Sequence, residues 1–193
     1  LQYKAKQLFD DIMISVIMQN DSVDISIVSD RLQTVKGKFS INAITPEGNY
    51  RSVLEQEISI IANGVLAIKK DHKNNVFGVI DFNSNLIEAS FETTDGKTYY
   101  WKDFLVKIGN IKTPESKTNL QLTKVPNGYS IKLSTNSVAP YVQLYLTDTH
   151  AKFDSNFIHL VPGKTETIFC KTQLSEIDFK KQLRIKSLDN KNQ

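Results

Sequence analysis

The stretch Val23-Asp24-Ile25-Ser26-Ile27-Val28 alternates apolar and polar residues with a period of two. Successive side chains of an extended strand point to opposite faces, so Val23, Ile25 and Ile27 share one face and suit a half-buried strand. The pattern recurs in Ile12-Met13-Ile14-Ser15-Val16-Ile17-Met18, Lys38-Phe39-Ser40-Ile41-Asn42-Ala43-Ile44 and Leu86-Ile87-Glu88-Ala89-Ser90-Phe91-Glu92. Tyr50 to Ile61 and Val65 to Ile68 read the same way. Turn residues separate these runs: Asn20-Asp21, Pro46-Glu47-Gly48-Asn49, Asn63-Gly64 and Asp95-Gly96. Asp-Gly between two apolar runs is a strong hairpin signal. Seven or so short strands in about 110 residues predict an immunoglobulin-like sandwich.

The start of the chain has a different rhythm. Leu1, Ala5, Leu8 and Phe9 recur at helical intervals and predict a short N-terminal helix. A polar segment without periodicity, Ile111-Lys112-Thr113-Pro114-Glu115-Ser116-Lys117-Thr118-Asn119, reads as a linker. Beyond it alternation restarts in Leu120 to Val125, the Pro126-Asn127-Gly128 turn, Tyr129 to Ser134 and Tyr141 to Leu146. Phe157 to Val161, Thr165 to Cys170 and Leu183 to Lys186 complete a second, smaller sandwich. The expected fold is therefore all-β: two tandem immunoglobulin-like β-sandwich domains, residues 1–112 and 113–193, with a short N-terminal helix. A core of about 80 residues is marginal alone, so docking to a neighbour is expected to stabilise the second domain.

Composition narrows the partners. Of 193 residues, 24 are basic and 21 acidic, and the signs alternate along the chain. Lys69-Lys70 to Lys73 is the only dense basic cluster, and Asp71 dilutes it, so no nucleic-acid partner is expected. No apolar run approaches the ~18 residues that span a bilayer, so no membrane partner is expected either. The single cysteine, Cys170, excludes an intrachain disulfide and a cysteine-based zinc site. Its place in Thr167-Ile168-Phe169-Cys170 predicts a buried, inert thiol. The chain opens without Met or signal peptide and reads as a piece of something longer.

Chemistry-bearing residues are scattered. His72, His150 and His159 have no second ligand at metal-binding spacing, and loop histidines facing solvent are expected. No Gly-x-Ser-x-Gly elbow, phosphate loop or dinucleotide fingerprint occurs. Glu55 and Glu57 share a strand side, but carboxylate pairs also need a cleft. The densest aromatic group is Tyr99-Tyr100-Trp101. Tyr99 and Trp101 fall on one face, where core packing is the ordinary role and a sugar-stacking platform the alternative. These residues supply no catalytic constellation, cofactor site or metal site, and Trp101 with Tyr99 is the one candidate sugar contact.

One stretch carries a family resemblance. Phe153, Asn156, Phe157, Ile158, Leu160, Val161, Pro162 and Gly163 form Phe-x-x-Asn-aromatic-apolar-x-Leu-apolar-Pro-Gly. This resembles a signature of the terminal immunoglobulin-like domain in β-mannosidases of glycoside hydrolase family 2. Val142 to Leu146 looks like the strand leading into that turn, and Tyr3 to Ser15 like the helix and first strand that follow the catalytic barrel. Val28-Ser29-Asp30-Arg31-Leu32 resembles a hairpin turn of the penultimate domain, and Tyr100 to Pro114 the crossing between domains. In place of the family's Asp before the signature Asn stands Ser155, with Asp154 one residue earlier. The resemblance implies a parent that removes terminal β-linked mannose by a retaining mechanism with two glutamates. Those belong to a barrel domain preceding Leu1, the expected partner of this chain, with β-mannoside glycans as a further partner. The family's acid/base lies in an Asn-Glu pair, and no Asn-Glu dipeptide occurs here. The chain alone is expected to be catalytically silent. A free-standing carbohydrate-binding or adhesion module is the alternative. A periplasmic or extracellular setting is slightly favoured for the parent. Within the signature, alternation places Ile158 and Leu160 in the core and Phe157, His159 and Val161 on the other face, with Asn156 bonding backbone in the turn.

Overall fold

The computed structural model describes residues 10–189. The predicted N-terminal helix lies outside the described residues. The chain divides into two compact units: one runs through Thr45 and from Asn49 to Ile111, the other takes Pro46–Gly48 and continues from Lys112.

The alternating runs become strands because one face of each is apolar and must be covered. In the first unit these are β1 (Ile12–Gln19), β2 (Ser22–Ser29), β3 (Val35–Ile44), β4 (Tyr50–Ile60), β5 (Gly64–His72), β6 (Leu86–Thr93) and β7 (Thr98–Asp103). They pair in two antiparallel sheets, β1-β2-β5 and β4-β3-β6-β7. Hairpins join β1 to β2, β3 to β4 and β6 to β7, while the other links change sheet, as in an immunoglobulin-type sandwich. The residues that alternation assigned inward meet in one core: Ile14, Val23, Ile25 and Ile27 from one sheet, Phe39, Ile41, Ala89 and Phe91 from the other. Gly37 lets β3 approach its neighbour closely, since a Cβ there would lie 2.1 Å from the Glu92 carbonyl oxygen.

The second unit contains β8 (Thr118–Val125), β9 (Gly128–Thr135), β10 (Ala139–Leu146), β11 (Lys152–Phe153), β12 (Ile158–Leu160), β13 (Glu166–Lys171) and β14 (Leu183–Lys186). Its sheets are β11-β13-β9-β8 and β12-β10-β14. Tyr129, Ile131, Leu144, Leu160 and Ile168 fill the space between them. Cys170 is fully buried, and burial pushes its thiol up to about 11, in keeping with an inert side chain.

Among the described residues two short α-helices, which the sequence reading did not place, interrupt the strands: α1 (Lys73–Phe77) and α2 (Glu176–Gln182). The second is locally well specified. Ser175 caps it by accepting from the Asp178 N–H at 3.2 Å, and Glu176 and Lys180 pair one turn apart. It delivers Phe179, fully buried, onto Tyr129, with ring centroids 4.2 Å apart and nearly parallel.

Alternation also fails in the signature. Leu160 is buried as expected, but so are His159 and Val161, whereas Ile158 is only half-buried. β12 spans three residues, and its partner β10 breaks register between Ala139 and Val142. Tyr141 sits inside that irregularity at φ 50°, and its ring meets the His159 ring edge-on at a centroid distance of 4.5 Å. A bulge in the neighbouring strand thus covers a side chain that period two assigns to solvent.

Candidate functional site

Three clusters gather the chemistry-bearing residues, and they lie in different places. The first surrounds the aromatic run of β7. Tyr99 is 9% exposed, and its hydroxyl donates to Asp11 Oδ1 at 2.6 Å while accepting from Arg31 Nη2 at 2.7 Å. Arg31 also donates through Nε to Asp11 Oδ2 and through Nη1 to Asp95 Oδ2, both at 2.8 Å. Thr93 donates to the other oxygen of Asp95. That bond and then Arg31 hold the Asp95 carboxyl at about 2, and the Tyr99 hydroxyl likewise lowers Asp11. The guanidinium therefore ties the entry of β1, the exit of β2, the β6–β7 turn and the face of β7 together. Sequence reasoning took Arg31 only as part of a hairpin turn and did not connect it to Asp11 or Asp95. No local pattern could, since they lie 20 and 64 residues away.

Two positions along β7, Trp101 is half-buried against the same core. Its open side borders a depression of about 790 Å³ between the edges of β1 and β7, whose walls include Ile17, Met18, Phe104 and Leu105, with Asp21, Asp103 and Asn110 at the polar positions. Tyr99 and Trp101 thus share a face as expected, but the Tyr99 hydroxyl is already engaged. Tyr100 points outward and is 58% exposed. The other candidates stand apart: His72 and His150 are exposed, and Glu55 pairs with Lys38 Nζ at 2.7 Å on the outer face of β4. Among the described residues no group of three or more His, Cys, Asp or Glu is placed to hold a metal ion, and no helix is long and apolar enough to cross a membrane.

The third cluster is the signature. Asn156 is 8% exposed and reaches across to the edge of β10. Its Oδ1 accepts from the Leu144 N–H at 2.8 Å, and its Nδ2 donates to the Leu144 carbonyl at the same distance. Oδ1 also accepts from the Phe157 N–H at 3.0 Å, which is the turn bond expected of it. Phe157 adopts φ 55°, so the chain reverses sharply there. Asp154 closes the other side of the joint: its N–H donates to the Phe169 carbonyl, and its Oδ1 accepts from the Phe169 N–H, both at 2.9 Å. Phe153 is buried between them. These contacts are joinery between strands.

This joint lies inside the segment, residues 113–191, that matches the family model Ig_mannosidase, described as an Ig-fold domain. Its signature residues now have physical roles: Asn156 substitutes for strand pairing along β10, Phe153 and Leu160 fill the core, and Pro162-Gly163 ends β12. Across both units the chain resembles the β-D-mannosidase from Dictyoglomus thermophilum in fold, with a TM-score of 0.73 at 18% identity over 96% of this chain. It spans only 22% of that enzyme's length. Red sea bream transglutaminase aligns with a TM-score of 0.36 at 8% identity, over 95% of this chain and 30% of that one. No curated protein sequence matches the chain.

Proposed function

We propose that this chain is the non-catalytic, C-terminal accessory region of a β-mannosidase of glycoside hydrolase family 2, buttressing a catalytic barrel in the same polypeptide. The observation that carries the proposal is the Ig_mannosidase match over residues 113–191, set within a chain whose two-unit fold follows the mannosidase neighbour over 96% of its length. The parent would hydrolyse terminal β-D-mannosides with retention, which requires two carboxyl groups about 5 Å apart in one cleft. The two carboxylates of the first cluster, Asp11 and Asp95, are both bonded to Arg31. The residues best ordered by hydrogen bonds, Asn156 and Arg31, bond to this chain's own backbone and side chains.

The test compares this chain with a polypeptide that also carries the barrel, both assayed on a chromogenic β-mannoside. Turnover is expected only from the longer one, and turnover by this chain alone overturns the proposal. A carbohydrate-binding module is the competing reading, and the half-buried indole of Trp101 beside a depression with Asp and Asn at its polar positions is what favours it. Glycan-array binding that disappears in Trp101→Ala, with the thermal midpoint of the variant measured alongside, would decide for the module. No array signal is expected.

A further inference from the structure

The two units follow one strand plan, and among the described residues the second shows no counterpart of β7. In the first unit β3 lies between β4, which precedes β5, and β6, which follows it; β7 then pairs with the far edge of β6. In the second unit β10 lies in the same way between β12, before β13, and β14, after it. Among the described residues nothing pairs with the far edge of β14. Its backbone is set up to receive a strand. Thr147 donates to the Gln182 carbonyl and Leu188 to the Pro140 carbonyl, so the even-numbered residues face β10 and Ile185 turns its N–H and C=O to the open edge.

We infer that this edge is a strand-accepting site for an extended peptide of another polypeptide, with apolar residues at alternate positions and acidic residues between them. A groove of about 390 Å³ runs beside β14, walled on the opposite side by Glu115–Thr118. Ser187, 8% exposed and lining the groove, has no hydrogen-bond partner for its Oγ. A buried polar atom without a partner is uncommon, and this one lies where an added strand would pass. The side chains along the strand set the chemistry of the occupant. Leu183 and Ile185 are half-buried, whereas Arg184 and Lys186 are exposed on the other face, near Lys117. Opposite charges directly across an antiparallel pair stabilise it and like charges weaken it. A second copy docking edge to edge would set Arg184 and Lys186 against their own kind. Cations on an open edge also discourage indiscriminate pairing, which leaves an acidic strand as the favoured guest.

The test titrates the full chain with a short synthetic peptide alternating Val and Glu, and with its Val–Lys counterpart. The acidic peptide should bind at least about tenfold more tightly, the factor that two or three charge pairs supply, and should protect the Ile185 amide from hydrogen exchange. Ile185→Pro removes the outward donor without touching the ladder to β10 and should abolish binding. Because that variant also loses a half-buried side chain, the double variant Arg184→Glu, Lys186→Glu provides an independent check: its preference should switch to the Val–Lys peptide. Equal binding of both peptides, or no protection at Ile185, overturns the proposal. Protection at Ile185 that appears without peptide and rises with protein concentration also overturns it, in favour of a second copy.

Discussion

The central strand of the second sheet is completed differently in the two units. In the first, β3 is flanked along its whole length by the eleven-residue β4 and from Gly37 to Ile44 by β6. In the second, β10 has the three-residue β12 on one side, and the Asn156 side chain takes over where that strand runs out. The smaller unit thus replaces a ladder with one carboxamide, whose donor and acceptor match the N–H and C=O of Leu144 as a facing residue would. Both units add a helix-borne ring to the core: Phe77 of α1 in the first, and Phe179 stacked on Tyr129 in the second. A unit built from fewer ladder bonds concentrates its stability in a few side chains. Its single substitutions should therefore cost more than those in the first unit.

The largest effect is expected at Phe179. Removing a fully buried ring stacked on Tyr129 costs about 3–5 kcal/mol, a large share of what a domain of this size holds. The expected result for Phe179→Ala is loss of exchange protection in β9 and β13 under conditions where the unaltered chain keeps it. Retained protection would show that the stack is dispensable. Next comes Asn156→Ala, which strands the N–H and C=O of Leu144 and should cost about 2–4 kcal/mol in urea denaturation. Asn156→Asp separates the two bonds, since a carboxylate still accepts from Leu144 N–H but faces its carbonyl without a proton to donate. It should recover little of the loss.

Period two carried most of the strands because each has one face on a core, and burial is what the alternation encodes. It failed at His159 for a definite reason: β12 is too short to enforce its own faces, and a bulge in β10 brings Tyr141 over the histidine. Asn156 was legible as a backbone-bonding turn residue, but not as the partner of Leu144, because its reach across to β10 has no signature in the sequence. The helix carrying Phe179 was legible and went unread. Ser175-Glu176-Ile177-Asp178 has the spacing of a capping box, with acidic residues in the first turn and Lys180-Lys181 in the last. By contrast α1 offers no acidic first turn and no basic last turn, and its cap is His72, so nothing local announced it. The Arg31 cluster lay beyond reach altogether, since it exists only once β1, β2 and β7 are assembled.

In the first unit the corresponding test is Arg31→Ala. Three partners depend on this guanidinium, but Asp11 and Asp95 are both more than a third exposed and water screens them. The cost should be about 1–2 kcal/mol, below that of Asn156→Ala although more bonds are lost. Trp101 is the single tryptophan and lies two residues from Tyr99 on the same face, so its fluorescence reports urea unfolding of this unit. A loss larger than that of Asn156→Ala would reverse the contrast between the units.

The smallest effect, and the most specific, is the pH dependence of that cluster. Asp95 is held at about 2, against an ordinary value of 3.8, first by the Thr93 hydroxyl and then by Arg31. A carboxyl whose folded value is depressed binds its proton more readily when unfolded. Its contribution is therefore fully present above about pH 4 and is lost as pH falls towards about 2. Asp11 shifts in the same direction, with the Tyr99 hydroxyl as the main cause, and remains in place when Asp95 is changed. Asp95→Asn should thus be less stable than the unaltered chain at neutral pH, and the two urea midpoints, followed by Trp101 fluorescence, should converge through that acid window. Parallel midpoints across it would place the stabilising charge elsewhere. Convergence that survives in Thr93→Val would assign the effect to Arg31, because the valine keeps the shape of the side chain and removes the hydroxyl that donates to Asp95.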